Sequence, residues 1–207
     1  MACSIQNVLE IAVLRIAKNL KKITKKKYLC LSGGVALNCV ANGKIMDQTG
    51  FEKIWIQPAS GDAGSAIGCA LSYIYKHTKK QRKIDKQDSM KSSYLGPEFS
   101  NEIIQNYLDK YKIKYHKLDN SLLTTKVSEY LKNGKIIGWF QGKMEFGPRA
   151  LCNRSIIGDP RIKDMQQRMN LKIKFRESFR PFAPVILEED KEEYFSIHDE
   201  SPYMLIT

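Results

Sequence analysis

The chain has 207 residues, room for one ordinary domain or two small ones, and 43% of them are hydrophobic, enough to bury a core. A formal net charge of +12 favours a polyanionic or phosphorylated partner, because a basic field concentrates anions. No stretch approaches roughly 20 apolar residues, which excludes a membrane span, and the first residues do not form a signal peptide. The five cysteines are odd in number and lack CxxC spacing, which favours reduced thiols and a cytoplasmic location.

Residues 1–78 predict an amphipathic helix followed by two strand-to-helix units. Apolar residues recur at helical spacing from Ile5 to Leu20 and predict the helix. The segment YLCLSGG (28–34) is typical of a buried strand closed by glycines, and VALNCVANGKIMDQ (35–48) predicts the next helix. KIWIQPASGDAG then repeats the plan of strand, loop and helix. Two such units predict an α/β sheet of parallel strands, whose carboxyl ends offer glycine backbones and helix N-termini to anions.

Two loops at these strand ends are candidate sites. Gly33 and Gly34 follow the first strand, although paired glycines also serve helix–sheet packing. Asp62 in SGDAG (60–64) is placed to hold a metal ion or orient a hydroxyl. Capping of the following helix by Asp62 is the alternative explanation. Neither loop has the spacing of a P-loop or of a dinucleotide-binding motif.

A linker over residues 79–93 is predicted to separate residues 1–78 from a second domain, residues 94–207. The linker lacks apolar periodicity, and its lysine-rich start is typical of a solvated run. Beyond it, SNEIIQNYLDKY predicts a helix, KIKYHKL (112–118) a strand, SLLTTKVSEYLKNG a helix stopped by Gly134, and KIIGWF (135–140) a strand.

Two basic segments follow, GKMEFGPRALCNRS (142–155) and KIKFRESFRPFAP (172–184). Glycine allows close backbone approach to a ligand, and planar guanidinium groups bind phosphate through paired hydrogen bonds. The alternative is an electrostatic network in which Glu145 and Glu177 pair with neighbouring arginines. The interleaved Phe175, Phe179 and Phe182 are interpreted as core residues or as groups that flank a base. The basic residues of the two segments are Lys143, Arg149, Arg154, Lys174, Arg176 and Arg180.

Five segments together resemble the NodU/CmcH family of O-carbamoyltransferases: LCLSGGVALNCVANGKI, IQPASGDAGSAIGCAL, YLGPEFS, GWFQGKMEFGPRALCNRSIIGDPR and NLKIKFRESFRPFAPVILEE. The resemblance runs in order through nearly the whole chain. It implies an α/β chain with the second lobe of an actin-like ATPase (Kae1-like) domain followed by a partial YrdC-like α/β domain. The family's chains are much longer, so the resemblance implies that both domains are incomplete here.

The resemblance implies ATP-dependent O-carbamoylation. The YrdC-like part makes carbamoyl adenylate from carbamoyl phosphate and ATP, and the actin-like part passes the carbamoyl group to a hydroxyl of a sugar or natural product. The implied catalytic residues are Arg149, Arg154, Arg176 and Arg180. The implied substrate- or nucleotide-binding residues are Gly33, Gly34, Asn38, Lys143, Glu145, Gly147 and Lys174.

Asp62 matches the position at which the family supplies a carboxylate ligand to iron(II). The chain contains no HxxxH pair, so the resemblance implies that iron is not held by this chain alone; Mg²⁺ is a further candidate ion beside ATP. One alternative is a split enzyme whose partner polypeptide carries HxxxH, and another is a remnant that binds nucleotide or carbamoyl phosphate without activity. A basic RNA-binding protein is the alternative of another class, disfavoured because the basic residues alternate with Gly, Pro and Glu.

Cys152 departs from the family's pattern, which has glycine in ALGNRS where this chain has ALCNRS. If the glycine serves a positive φ, a side chain at this position is strained. A nucleophilic thiolate beside Arg149 and Arg154 is the alternative, because nearby cations lower a thiol pKa.

Overall fold

The computed structural model describes residues 1–78, 80–84, 88–196 and 200–207. Its helices are α1 (Ala2–Thr24), α2 (Cys39–Gln48), α3 (Asp62–His77), α4 (Asn101–Lys110), α5 (Asn120–Lys132), α6 (Met165–Arg168) and α7 (Lys191–Tyr194). Its strands are β1 (Tyr28–Leu31), β2 (Lys53–Ile56), β3 (Ile137–Phe140) and β4 (Arg154–Ile157). Short 3₁₀ turns span Gly34–Leu37, Lys91–Ser93 and Glu188–Asp190, and a π-helical turn spans Met169–Ile173. None of the helices in these ranges is long and apolar enough to cross a membrane.

The chain forms two compact units that are each described separately. The first unit comprises Met1–Leu95, Phe146–Arg149 and Ser196–Thr207, and the second comprises Gly96–Glu145 and Ala150–Phe195. Parts of the predicted linker, residues 79 and 85–87, lie outside the described residues. The boundaries of the two predicted domains stay a prediction.

The first unit contains the predicted parallel sheet. β1 and β2 pair in parallel, with Leu29 opposite Ile54 and Leu31 opposite Ile56. Because side chains alternate across a strand, these four residues share one face of the sheet. That inner face packs on α1 and α2, where Leu29 forms a buried cluster with Ala17, Ile45 and Phe51. The two predicted strand-to-helix units are therefore confirmed, and the chain is a mixed α/β protein.

The second predicted helix begins later than its apolar pattern indicates. Residues 34–37 form a 3₁₀ turn, and α2 starts at Cys39 with Asn38 as its N-cap. The Asn38 side chain accepts a hydrogen bond from the backbone N–H of Ala41 at 3.0 Å. The first backbone N–H groups of a helix have no carbonyl partner within the helix, and the Asn38 side chain supplies an acceptor for one of them. The break at Asn38 separates the glycine loop from α2.

The C-terminal residues pack on the first unit. Leu205 is buried with Ala36 and Ile56, and the Asn42 side chain donates to the carbonyls of both Ala36 and Leu205 at 2.8 Å. A Cβ on Gly43 would lie 2.1 Å from the Thr207 carbonyl oxygen, so only glycine allows this approach of the two backbones. The tail thereby closes one side of the glycine-loop region.

The second unit is built around a hairpin-like pair of strands. β3 and β4 pair antiparallel, with Trp139 opposite Ser155. β4 was not predicted, because its first two residues, Arg154 and Ser155, end the basic segment 142–155. The predicted strand over residues 112–118 is wrong. The Ile113 N–H bonds back to the Leu108 carbonyl at 2.9 Å and closes the end of α4. A strand also needs a neighbouring strand to pair its backbone, and residues 112–118 have none among the described residues.

Candidate functional site

The predicted site residues fall into three groups, of which the first lies at the strand ends of the first unit. The Gly33 N–H donates to the Ser60 carbonyl at 2.9 Å, which joins the loops after β1 and β2. Arg149 lies in the same unit and donates from its Nη2 to the Leu37 carbonyl at 2.8 Å. Gly147 has φ of 119°, and a Cβ there would lie 3.2 Å from the Cβ of Ala59. The segment 146–149 therefore packs on the strand-end loops.

Asn38 holds the loop instead of presenting a free amide. Its Oδ1 accepts from the Ala41 N–H at 3.0 Å and from Gln6 Nε2 at 3.1 Å, and its Nδ2 donates to Gln6 Oε1 at 2.8 Å. These bonds connect α1 to the start of α2. Asn38 is thus an N-cap that fixes the direction in which the glycine loop, including Gly34 as the first residue of the 3₁₀ turn, leaves β1.

Asp62 is the exposed first residue of α3, after Gly61 as the N-cap. The alternative that Asp62 itself caps the helix is wrong by one residue, although a carboxylate in the first turn still complements the helix dipole. Within the described ranges, no three His, Cys, Asp or Glu side chains come together as metal ligands. A single carboxylate does not make a site for iron.

The second group surrounds Glu145, whose side chain is fully buried in the second unit. Its Oε1 accepts from the backbone N–H groups of Leu151, of Asn153 at 2.9 Å and of Arg154 at 3.3 Å. Its Oε2 lies 3.4 Å from Arg154 Nε. Burial raises the pKa of the Glu145 carboxyl, but these backbone donors outweigh burial and hold the pKa below its ordinary value. The charged Glu145 carboxylate therefore fixes the backbone of the loop 151–154 from its buried side.

Lys143 belongs to the same loop. The Asn153 side chain donates to the Lys143 carbonyl at 2.7 Å, while Lys143 itself is exposed. The pairing of Glu145 with Arg154 is the contact that the electrostatic alternative predicts. It does not remove the loop's positive charge, because Lys143 remains at the surface beside it.

Cys152 has a φ of 77°, the left-handed region that favours glycine. Its N–H donates to Ser155 Oγ at 3.1 Å, so the strained conformation is held within the loop. Burial and the Glu145 carboxylate raise the pKa of the Cys152 thiol. A thiolate nucleophile at this position is therefore disfavoured, and the strain expected at this position is present.

We expect Cys152→Gly to increase the free energy of unfolding of the second unit by about 1 kcal/mol, because glycine adopts this backbone conformation without a Cβ clash. Each unit contains one tryptophan, Trp55 in the first and Trp139 in the second. Denaturant unfolding followed by Trp139 fluorescence in a Trp55→Phe background measures the change. Cys152→Ala is the matched control, since it removes the thiol and keeps the Cβ. An equal gain from alanine would contradict the backbone explanation.

The third group is organised by Asn170, which the sequence patterns did not single out. Asn170 is fully buried; its Nδ2 donates to the carbonyls of Ser178 at 3.1 Å and Arg180 at 2.8 Å, and its Oδ1 accepts from Arg176 Nε at 2.6 Å. The Arg176 N–H also donates to the Asn170 carbonyl at 3.1 Å. One amide thus fixes both the backbone of residues 178–180 and the guanidinium of Arg176. A single asparagine at the end of a helix carries no pattern that would have identified it.

The remaining charged and aromatic residues of this loop differ in exposure. Arg180 pairs with Glu177 at 2.8 Å, as the electrostatic alternative predicts, and Lys174 is exposed. Phe175 and Phe179 are 86% and 73% exposed, so their interpretation as core residues is wrong. Phe182 is half-buried, and the Arg176 guanidinium lies 4.8 Å from its ring centre, a distance typical of a cation–π contact.

An open depression borders this loop. It has a volume of about 550 Å³ and is lined by Lys163, Asp164, Gln166, Gln167 and Ser178. Gln166 also donates to the Arg180 carbonyl at 3.0 Å. A volume of this size accommodates a small phosphorylated molecule.

Comparison with known proteins identifies two matching family segments. The carbamoyltransferase N-terminus matches residues 1–71, and the carbamoyltransferase C-terminus matches residues 128–207. An uncharacterised protein of Synechocystis is 52% identical over 208 residues, which cover 100% of this chain and 34% of that protein. The nodulation protein NolO of Bradyrhizobium diazoefficiens is 39% identical over 96% of this chain and 36% of its own length.

A relative with an enzymatic name also matches. The 3'-hydroxymethylcephem-O-carbamoyltransferase of Amycolatopsis lactamdurans is 35% identical over 177 residues, which cover 86% of this chain and 31% of that enzyme. The chain thus spans about a third of the length of these curated relatives.

Proposed function

Because this chain belongs to the carbamoyltransferase family, we propose that it takes part in ATP-dependent O-carbamoylation and that its basic loops bind carbamoyl phosphate and ATP. The carbamoyl group passes through carbamoyl adenylate to a hydroxyl of a sugar or natural product. Water first hydrolyses carbamoyl phosphate to carbamate and phosphate. The carbamate oxygen then attacks the α-phosphorus of ATP and displaces pyrophosphate, which gives carbamoyl adenylate, and transfer to the hydroxyl releases AMP. Every substrate and intermediate before the acceptor is an anion, which matches the basic charge of the chain.

The observation that carries this proposal is the support beneath each basic loop of the second unit. Glu145 holds the backbone of residues 151–154, and Asn170 holds residues 178–180 together with the Arg176 guanidinium. Loops fixed in this way need little reorganisation when a phosphate binds, and electrostatic stabilisation by preorganised groups is the main contribution to transfer chemistry of this kind.

We assign the phosphates to the two loops of the second unit. The Arg176 guanidinium is fixed by its hydrogen bond to Asn170. Lys143, Lys174 and Arg180 are exposed cations in the two basic segments. Arg154 contributes positive charge above the buried Glu145. Glu145 supports the loop from within, so it acts as a positioning residue and does not itself contact an anion.

We assign the nucleotide-facing loop to the first unit, which in this proposal is the second lobe of an actin-like ATPase domain; the second unit is then the YrdC-like part. Gly33, Gly34 and Gly147 bring backbone close to the strand ends, and Arg149 lies on the same loops. Asp62 at the start of α3 is the residue assigned to a metal ion, which would need further ligands. Backbone N–H groups of glycine loops and of helix N-termini at the carboxyl edge of a parallel sheet donate hydrogen bonds to phosphate oxygens.

Calorimetric titration of the full chain with carbamoyl phosphate and with ATP, singly and together, tests the proposal. We expect saturable binding of carbamoyl phosphate, weakened about tenfold or more by Arg176→Ala, because a charge-assisted guanidinium contact contributes roughly 1.5–3 kcal/mol. Arg82→Ala is the matched control, since Arg82 is an exposed arginine of the predicted linker and its loss changes the net charge equally.

Two results would contradict the proposal. A folded chain that binds neither ligand has no such site, and equal weakening by Arg176→Ala and Arg82→Ala would mean that only the overall charge acts. Titration with a single-stranded RNA, repeated at increasing salt, tests the alternative that the chain is an RNA-binding protein. A steep fall of RNA affinity with salt, alongside no binding of carbamoyl phosphate, would favour the RNA-binding protein.

A further inference from the structure

Asp159, in the second unit, is a buried carboxylate that holds an exposed arginine. It follows β4 in the chain and is buried. Its Oδ1 accepts from the backbone N–H of Arg161 at 3.0 Å. Its two oxygens also accept from the Arg161 guanidinium, from Nε at 2.9 and 3.1 Å and from Nη2 at 2.6 Å. These bonds hold the pKa of the Asp159 carboxyl at about 2, so the carboxylate is charged at neutral pH.

The Arg161 side chain is 77% exposed, although its carboxylate partner is buried. A guanidinium carries five N–H donors in a rigid, planar fork. Asp159 accepts from the donor on Nε and from one donor on Nη2, which leaves both donors on Nη1 and the second donor on Nη2 for a ligand. Arg161 is therefore oriented before a ligand binds, so binding does not have to order this long side chain.

The turn that carries Arg161 packs on the helix that borders the open depression. A Cβ on Gly158 would lie 2.8 Å from the Met165 sulfur, and Met165 is the buried first residue of α6. Lys163, two residues after Arg161, and Gln166 of α6 both line the depression. The guanidinium and the depression thus belong to one short stretch of the second unit.

The lining of the depression suits a phosphate group. Lys163, Gln166, Gln167 and Ser178 provide an ammonium, two amides and a hydroxyl that donate hydrogen bonds to phosphate oxygens, and Asp164 is the acidic residue of the lining. The bordering segment 172–184 contains four basic residues and one acidic residue. The surroundings of the depression are therefore positively charged despite Asp164.

We propose that Arg161 is a further phosphate-contacting residue of this depression and that Asp159 is the positioning residue that acts through it. The phosphate belongs to carbamoyl phosphate or to ATP, so the inference rests on the proposed function for the identity of the ligand. Lys163 adds a second positive charge for the same phosphate. A lysine in place of Arg161 keeps the charge but loses both the fork on Asp159 and the paired donors.

Calorimetric titrations of the full chain with carbamoyl phosphate, with ATP and with pyrophosphate, each alone, test this assignment. We expect Arg161→Ala to weaken at least one of these ligands about tenfold or more. Weakening of ATP and pyrophosphate assigns Arg161 to the ATP phosphates, and weakening of carbamoyl phosphate assigns it to that substrate. Arg161→Lys weakens the same ligand nearly as much. Arg82→Ala, at an exposed arginine of the predicted linker, changes the net charge equally and leaves binding unchanged.

A double-mutant cycle tests the role of Asp159. Asp159→Asn keeps an acceptor oxygen but loses the charge that holds the guanidinium, so we expect it to weaken the same ligand as Arg161→Ala. In the Arg161→Ala background, Asp159→Asn then has no further effect on binding. Equal weakening in both backgrounds would show that Asp159 supports only the turn. Denaturant unfolding followed by Trp139 fluorescence verifies that each variant is folded.

The outcomes separate this inference from the proposed function. Unchanged binding by Arg161→Ala, or wild-type binding by Arg161→Lys, overturns the inference even where the wild-type chain binds both substrates. A chain that binds neither substrate, but binds pyrophosphate through Arg161, retains Arg161 as a phosphate-contacting residue and contradicts the proposed function. A folded chain that binds none of the three ligands overturns both.

Discussion

Glu145→Ala lowers the free energy of unfolding of the second unit by about 3–5 kcal/mol, the largest effect that we expect of any single substitution in the chain. The substitution leaves the N–H groups of Leu151, Asn153 and Arg154 without their acceptor and removes the carboxylate beside Arg154. Unpaired buried donors lose their hydration without compensation. Glu145→Gln keeps one acceptor oxygen, so it costs about half as much. Denaturant unfolding followed by Trp139 fluorescence measures both variants.

Glu177→Ala is the matched control for Glu145→Ala, because Glu177 also pairs with an arginine but is exposed. Exposed pairs contribute little to stability, so the unfolding midpoint stays in place. Equal effects of the two substitutions would show that Glu145 is an ordinary surface charge and would contradict the loop architecture.

The pH dependence of this effect follows from the lowered pKa of Glu145. A carboxyl whose pKa is lower in the folded state stabilises the fold fully above its unfolded value, for which the ordinary 4.5 is the reference. That stability is lost as the pH falls through the folded pKa. The difference in unfolding free energy between the wild type and Glu145→Gln is therefore largest near neutral pH and shrinks below about 4.5. A difference that grows on acidification would contradict a charged Glu145.

Local patterns predicted the elements of the first unit because those elements are determined by local periodicity. The strands at residues 28–31 and 53–56 and their parallel pairing follow from apolar runs that alternate with helical segments. α2 begins at Cys39 and not at residue 35, where its apolar pattern begins, because the capping side chain of Asn38 outweighs apolar periodicity. The packing of Leu205 on Ala36 could not be predicted, because contacts between residues far apart in the sequence have no local signature.

The candidate site was predicted by residue type and not by role. The strain at Cys152 followed from a single departure from a glycine pattern, and its φ of 77° agrees with it. The structural roles of Glu145 and Asn170 depend on burial, which alternating Gly, Pro and charged residues do not reveal. The wrong prediction of a strand at 112–118 has a similar origin. Its β-branched and aromatic residues favour a strand, but a strand also needs a neighbouring strand, and the described part of the chain places none beside these residues.

Asn170→Ala lowers the free energy of unfolding of the second unit by about 2–4 kcal/mol and releases the loop that carries Arg176. Three hydrogen bonds of the buried amide are lost, and the carbonyls of Ser178 and Arg180 lose their buried donor. Asn170→Asp keeps the acceptor for Arg176 but loses both donors. We therefore expect an intermediate stability for Asn170→Asp, measured by the same Trp139 transition.

Gln166→Ala is the matched control, because Gln166 donates to the same Arg180 carbonyl from an exposed position. Its loss leaves stability nearly unchanged, since water replaces an exposed donor. A double-mutant cycle of Asn170→Ala with Arg176→Ala separates the packing contribution of the Asn170 side chain from its hydrogen bond to Arg176. A coupling of at least about 1 kcal/mol is expected, because the two side chains share a hydrogen bond. Strict additivity of the two substitutions would mean that Asn170 stabilises the helix end alone, and Arg176 would then lack the fixed position on which its role in phosphate binding depends.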